Sequence, residues 1–268
     1  MGKGKPFLEI FTLALNEDYR FPILEIFAFL YALGTFAMAS FGTPGVAAAE
    51  EASAYYLVNS LSGLPLFVFL ILIFKNVAYG LGKDLEQGVI QTLFSYPLKR
   101  WQVLTAKLLS AIGVALLLFL GIQISALFIL APGIIKAYFT AVLLTYAAQL
   151  SVLFFLTGIL LLFTLFLKRG GLAIVAGIIL YFALSMIPTF VMFYAYATGS
   201  SLPLKILAVI NPTIVLQRYY LGEAFFFFPE EIWVPSFFEV LLYLSSSYIV
   251  VAFIFLIAYI YFERRLGI

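Results

Sequence analysis

The chain has 268 residues, of which 65% are hydrophobic and only 10% charged, with a net charge of +2 and a mean hydropathy of +1.13. A soluble domain carries roughly 25% charged residues, so this composition excludes a water-soluble globule, and the small net charge gives no reason to expect nucleic acid as a partner. The absence of Cys and His excludes disulfides, thiolate chemistry, His-ligated metals, haem and every serine–histidine or cysteine–histidine catalytic arrangement.

In chain order, Lys3 and Lys5 come first, but Glu9, Asn16, Glu17 and Asp18 interrupt any apolar signal-peptide core, so no cleaved signal is expected. Within 6–19, Glu9, Thr12 and Asn16 recur at helical spacing while Phe7, Ile10, Phe11 and Ala14 line another face. That pattern predicts an amphipathic interfacial helix over residues 1–20, serving as an anchor or as a docking surface. A bilayer core needs about 20 apolar residues per helix. Six stretches qualify: 21–41, 55–74, 103–130, 138–167, 172–197 and 237–262. In hydrocarbon each must satisfy its own backbone polar groups, so each is expected to be helical. The expected fold is an all-α integral membrane protein, a single transmembrane domain over 1–268 with six spans.

Charge is placed asymmetrically along these spans. With six crossings, Lys3, Lys5, Arg20, Lys75, Lys83, Lys99, Arg100, Lys107, Lys168, Arg169, Arg264 and Arg265 fall on one side. Only Lys136, Lys205 and Arg218 of the 15 bases fall on the other, with Glu50, Glu51, Glu223, Glu230, Glu231 and Glu239. Basic loops stay inside. The chain is therefore expected to be multi-pass in the cytoplasmic membrane, with both termini and the loop between spans 2 and 3 facing the cytoplasm. A seventh crossing at 204–216 is the competing topology. Asn211-Pro212 cuts that stretch, it is too short, and crossing there would move Arg264 and Arg265 outside. Residues 198–236, with the aromatic run 225–228, Pro229 and Pro235, read instead as a surface or re-entrant outer segment.

The connector between spans 2 and 3 carries the most information. Residues 83–97 read as a short helix parallel to the membrane. Leu85, Val89, Leu93 and Tyr96 share one face, with Thr92 beside them, and Asp84, Gln87 and Gln91 share another. Asp84 and Glu86 fall near its start, where acidic groups suit the helix dipole, and Pro97 ends it. Lys99 and Arg100 are expected at lipid phosphates, and Trp101 is placed like an interfacial aromatic. These features fit either a plain interfacial connector or a docking element for a soluble partner.

Glu86-Gln87-Gly88, Leu93, Ser95-Tyr96-Pro97-Leu98-Lys99-Arg100 and Ala106-Lys107-Leu108 together resemble the signature of type 2 ABC transporter permeases. The motif covers about 25 residues, and the six-span plan, the N-terminal helix and the broken outer segment extend the likeness to most of the chain. Gly88-Val89-Ile90 stands where the family more often has Gly-Thr-Leu, and Lys99-Arg100 where a Ser-basic pair is common. The resemblance implies that the chain is the membrane-spanning subunit of an exporter, paired with a second permease chain as a homo- or heterodimer and driven by separate ATP-binding-cassette ATPase subunits. It further implies that 83–97 is the coupling helix that enters a cleft on the ATPase. Leu85, Val89 and Leu93 would then make apolar contacts, Lys83, Asp84, Glu86, Gln87 and Thr92 polar ones, and Gly88 would permit close approach.

The ATPase is not expected in this chain. A phosphate-binding loop needs Gly-Lys followed by Ser or Thr, and no Lys here is followed by either. ATP and Mg²⁺ would sit on the partner, and no cofactor is expected here. Lys107, a few residues into span 3, is expected to snorkel to phosphates rather than to contact substrate, since a mid-membrane Lys costs about 2.5–3.5 kcal/mol. Asn59, Gln123 and Gln149 are uncharged polar groups deeper in the spans, either lining a substrate path or bonding helix to helix at about 1 kcal/mol or less each. Gly170-Gly171 and Gly177 are expected to allow close packing. An ion-coupled secondary transporter is the alternative function; it would place ionisable groups near the midplane. An intramembrane enzyme is disfavoured because the chain lacks His and its only two Asp, Asp18 and Asp84, fall outside the expected spans.

Overall fold

The computed structural model describes residues 6–41, 50–95, 97–222 and 232–265, and every described element is helical. Helix α1 (Pro6–Asp18) bends by 66° into α2 (Ile23–Phe41). Helix α3 (Glu50–Ile73) runs through a π-helical segment (Phe74–Leu81) into α4 (Gly82–Glu86). After a turn come the short α5 (Val89–Leu93), then α6 (Arg100–Leu108), a second π-helical segment (Leu109–Gly113) and α7 (Val114–Leu130). The short α8 (Pro132–Ala137) precedes α9 (Phe139–Leu167) and α10 (Gly170–Thr198). Helices α11 (Leu202–Ile210), α12 (Thr213–Leu221) and α13 (Phe237–Arg265) complete the chain.

Five rods are long and apolar enough to cross a membrane, namely Glu51–Glu86, Arg100–Leu130, Phe139–Leu167, Gly170–Thr198 and Phe237–Arg264, and α1–α2 makes a sixth when the bent pair counts as one span. The chain is thus an all-α, multi-pass membrane protein. Helix α9 is its central post, packed against α3, α10 and α13. Small residues set the closest approaches. A Cβ on Gly158 would fall 2.8 Å from Ile254, and one on Gly177 would fall 2.5 Å from Leu160. At Gly82 a Cβ would lie 2.7 Å from the Cα of Gly170, so two backbones touch there. Gly170 and Gly177 pack closely, as expected, whereas Gly171 faces open space.

Successive rods run up and down. The end of α4, the start of α6, the start of α10 at Arg169–Gly170 and the end of α13 at Glu263 meet at one end of the bundle. The starts of α3 and α9 meet α12 at the other, where Tyr55 stacks on Tyr220 at 5.6 Å. The expected broken segment is present as two nine-residue helices, α11 and α12, parted at Asn211-Pro212, each far too short to cross. They are packed rather than laid on a surface: Leu204, Ala208, Val215 and Leu216 are fully buried. The expectations for Lys3, Lys5, Tyr96, Glu223, 225–228, Pro229, Glu230 and Glu231 fall outside the described residues.

The main departure in the fold is span 2. Expected to end at 74, it stays helical to Glu86. Lys75, Asn76, Lys83 and Asp84 stop the apolar run in the sequence, but Lys75 and Asp84 find partners in neighbouring helices, at Asp18 and Lys107, and Lys83 stays exposed.

Candidate functional site at the charged end of the bundle

The site begins with the stripe that docks α1. Ile10, Ala14 and Asp18 are buried at four-residue spacing, while Glu9, Thr12 and Asn16 face outward, as the sequence pattern predicts. The same stripe that carries the apolar contacts therefore delivers a carboxylate into the bundle. Both π-helical segments receive it. A π turn widens the helix and leaves backbone groups without their usual partners, and such segments recur at functional sites. From the second segment, Ser110 Oγ donates to Asp18 at 2.5 Å and the Ala111 carbonyl accepts the Tyr19 hydroxyl at 2.9 Å. From the first, Lys75 Nζ donates to the Asp18 carbonyl at 2.7 Å and to Asn76 Oδ1 at 3.0 Å. The ammonium thus meets the negative end of the α1 dipole. Burial pushes the Asp18 carboxyl up to about 6, against the opposing pull of the Ser110 hydrogen bond and the charges of Lys107 and Lys75.

Lys107 occupies the centre. It is 7% exposed, and its Nζ lies 2.7 Å from Asp84 and 2.8 Å from Glu17. The expectation that Lys107 snorkels to phosphates is corrected: two carboxylates hold it inside the protein. Asp84 is corrected with it. Rather than opening a connector helix, it lies in the last turn of the long span-2 rod, where the dipole disfavours an acid. It is buried against Lys107 instead of facing a partner.

The connector itself is shorter than 83–97. Gln87 caps the span-2 rod, Gly88 turns the chain at φ +76°, and only Val89–Leu93 forms the next helical turn. A residue in the left-handed region breaks the helical phase, so the face expected from Leu85 through Val89 to Leu93 is not continuous. Leu85, Ile90 and Leu93 are buried and Val89 is half-buried. Lys83, Glu86, Gln87, Gln91 and Thr92 are exposed. Pro97 and Lys99 are exposed, and Gln102 Oε1 accepts the Lys99 N–H at 2.9 Å where α6 starts. Arg100, expected at lipid phosphates, also has partners within the protein. It covers the Phe94 ring at 5.1 Å and donates to the Glu263 carbonyl at 3.3 Å, clamping the connector to α13.

The deeper polar residues form a separate, uncharged cluster. Gln123 is wholly buried; its Nε2 donates to Thr35 Oγ1 at 2.8 Å and to the Leu61 carbonyl at 3.0 Å, and its Oε1 accepts from Tyr146 at 2.9 Å. Gln149 Nε2 donates to Asn59 Oδ1 at 2.7 Å. These contacts bond α2, α3, α7 and α9 to one another.

Sequence reasoning missed the charged cluster as a unit. Its signal was present, since Asp18 continues the Ile10–Ala14 stripe and Asp84 and Lys107 are the only Asp and the innermost Lys of their rods. No family model and no curated protein matches the chain.

Proposed function

We propose that the chain is the membrane-spanning permease subunit of an ATP-binding-cassette exporter, paired with a second permease chain and driven by separate ATPase subunits. The observation that carries this reading is the connector between the second and third rods. It offers an exposed polar row, Lys83, Glu86, Gln87, Gln91 and Thr92, on a backbone that is buttressed from behind by Leu85, Ile90, Leu93 and the Arg100 clamp. A simple linker would not need such stiff backing, whereas an element that receives a push from a partner would. The resemblance of 86–107 to the type 2 permease signature gives that partner its class. In this reading the charged end of the bundle faces the cytoplasm, and Lys107 with Asp84 and Glu17 passes movement of the connector to α1 and the third rod.

The test uses the exposed positions Glu86 and Gln91. Glu86→Arg with Gln91→Arg should abolish co-purification of an ATPase from native membranes while the melting temperature stays unchanged. Undiminished ATPase association in this variant would sink the proposal. A second reading, ion-coupled transport, draws support from the buried carboxylates Asp18 and Asp84. It predicts transport that collapses with the proton gradient and persists without ATP.

A further inference from the structure

The span-2 rod (Glu51–Glu86) and α10 touch backbone to backbone at the charged end of the bundle. A Cβ on Gly170 would fall 2.9 Å from the Tyr79 carbonyl and 3.2 Å from the Lys83 nitrogen, and one on Gly82 would lie 3.4 Å from the Arg169 carbonyl carbon. Deeper along the same two helices lies a groove of about 350 Å³, lined by Phe67, Ile71 and Phe74 of the rod and Ile174, Ile178 and Phe182 of α10 among others. Phe67, Ile71, Ile178 and Phe182 are exposed, so the groove opens on the outside of the bundle. The backbone contact also gathers charge at its mouth. Lys83 is set beside Lys168 and Arg169, and all three are exposed. Among the described residues none of the three is in an ion pair. Lys83 Nζ lies 5.9 Å from the Tyr79 ring centroid, which keeps it on the rod above the groove. Counted against Glu86, exposed one turn on, three bases leave an excess of two positive charges.

The geometry points to a resident site for an anionic phospholipid, whose phosphate meets Lys83, Lys168 and Arg169 and one of whose acyl chains fills the groove between the span-2 rod and α10. The spacing suits one leaflet. Ile174 is five residues beyond Arg169 and Phe182 thirteen, about 7 Å and about 20 Å along the helix axis. The headgroup layer of a bilayer is about 5–7 Å deep and one leaflet of hydrocarbon about 15 Å. With Arg169 in the headgroup layer, the groove spans acyl-chain depth beneath it. The charge selects the headgroup, because a zwitterionic lipid would bring its own cation to three bases. It also disfavours a second copy as the occupant. Two copies packed symmetrically across this groove would bring both sets of bases to one end, like against like.

The site needs a bilayer and no ATPase, so its failure and that of the permease reading are told apart. Native mass spectrometry of the detergent-purified chain, incubated with phosphatidylglycerol and phosphatidylcholine of identical acyl chains, reads it directly. One phosphatidylglycerol per chain should be retained in preference to phosphatidylcholine. Each base near an anionic surface contributes about fivefold, so Lys168→Gln with Arg169→Gln should weaken retention about 25-fold. Lys83 is left intact because it also belongs to the exposed row of the connector. Ile178→Trp, which fills the groove and spares the bases, should lower retention of both lipids. The unaltered chain supplies a test that no folding defect can spoil: phosphatidylglycerol with a photoreactive acyl chain should label residues 67–74 and 174–182 above the rest of the rods. Equal retention of the two lipids, undiminished retention in either variant, labelling spread evenly over the rods, or a disulfide joining two copies through Ile178→Cys would each overturn the inference.

Discussion

Two polar clusters hold this bundle together, and they do so by different means. At the charged end, Lys107 joins Asp84 and Glu17, while Asp18 is tied to Ser110. Deeper inside, Gln123 joins Thr35, Leu61 and Tyr146 without any charge. Each cluster links at least three helices. The ionic one occupies the end of the second and third rods beside two π-helical segments, whereas the neutral one sits in regular helix. The difference follows from solvation. Amides and hydroxyls can stay in a dry core once each finds a partner. A charge must be matched and remains sensitive to the loss of its match. The neutral cluster is therefore expected to act as static glue, and the ionic one as a joint whose state can change.

Substitutions can break or sharpen that contrast. The largest effect is expected from Lys107→Ala, which leaves Asp84 buried without its cation and should destabilise the protein by about 3–5 kcal/mol in detergent unfolding experiments. Replacing Lys107 and Asp84 together with Met and Leu should recover most of that loss. Gly82→Ala comes next. Its new Cβ meets the Gly170 backbone rather than a movable side chain, so about 1–3 kcal/mol should be lost and α10 displaced from α4, readable as a spin-label distance change. Gln123→Leu removes hydrogen bonds but strands no charge, and about 1 kcal/mol is expected by thermal unfolding. A loss as large as that of Lys107→Ala would erase the distinction between the clusters. Glu17→Gln should be mildest, at or below about 1 kcal/mol, because the Glu17 side chain is 51% exposed.

Much of the fold was legible in the sequence because apolar runs and charge placement are local signals. The six stretches, the amphipathic α1 with Ile10 and Ala14 inward, and the break at Asn211-Pro212 all needed only neighbouring residues. The ends of the second rod were not legible. The polar residues between Lys75 and Gln87 look like an exit from the membrane, yet the helix continues through them, with Lys75 and Asp84 meeting Asp18 and Lys107, distant in sequence. The phase of the connector was lost for a related reason. Gly88 could sit in a helix or turn one, and helical periodicity carried across it put Val89 on one face with Leu85 and Leu93, whereas Ile90 is the residue buried with them. The pairing of Asp84 with Lys107 depends on two rods meeting, and no spacing rule reports that. Gln123 and Gln149 were legible as buried and polar, and their partners became visible only with the packing.

The most direct test of the proposed function is photocrosslinking from position 91 in native membranes, with the same photoreactive residue at exposed Leu117 in the third rod as the control. The account predicts a single soluble partner captured from position 91 and not from 117, identified by mass spectrometry as an ATPase bearing a phosphate-binding loop, with capture lost in the Glu86→Arg background. Capture of lipid alone from both positions, in membranes that still carry out transport, would contradict it.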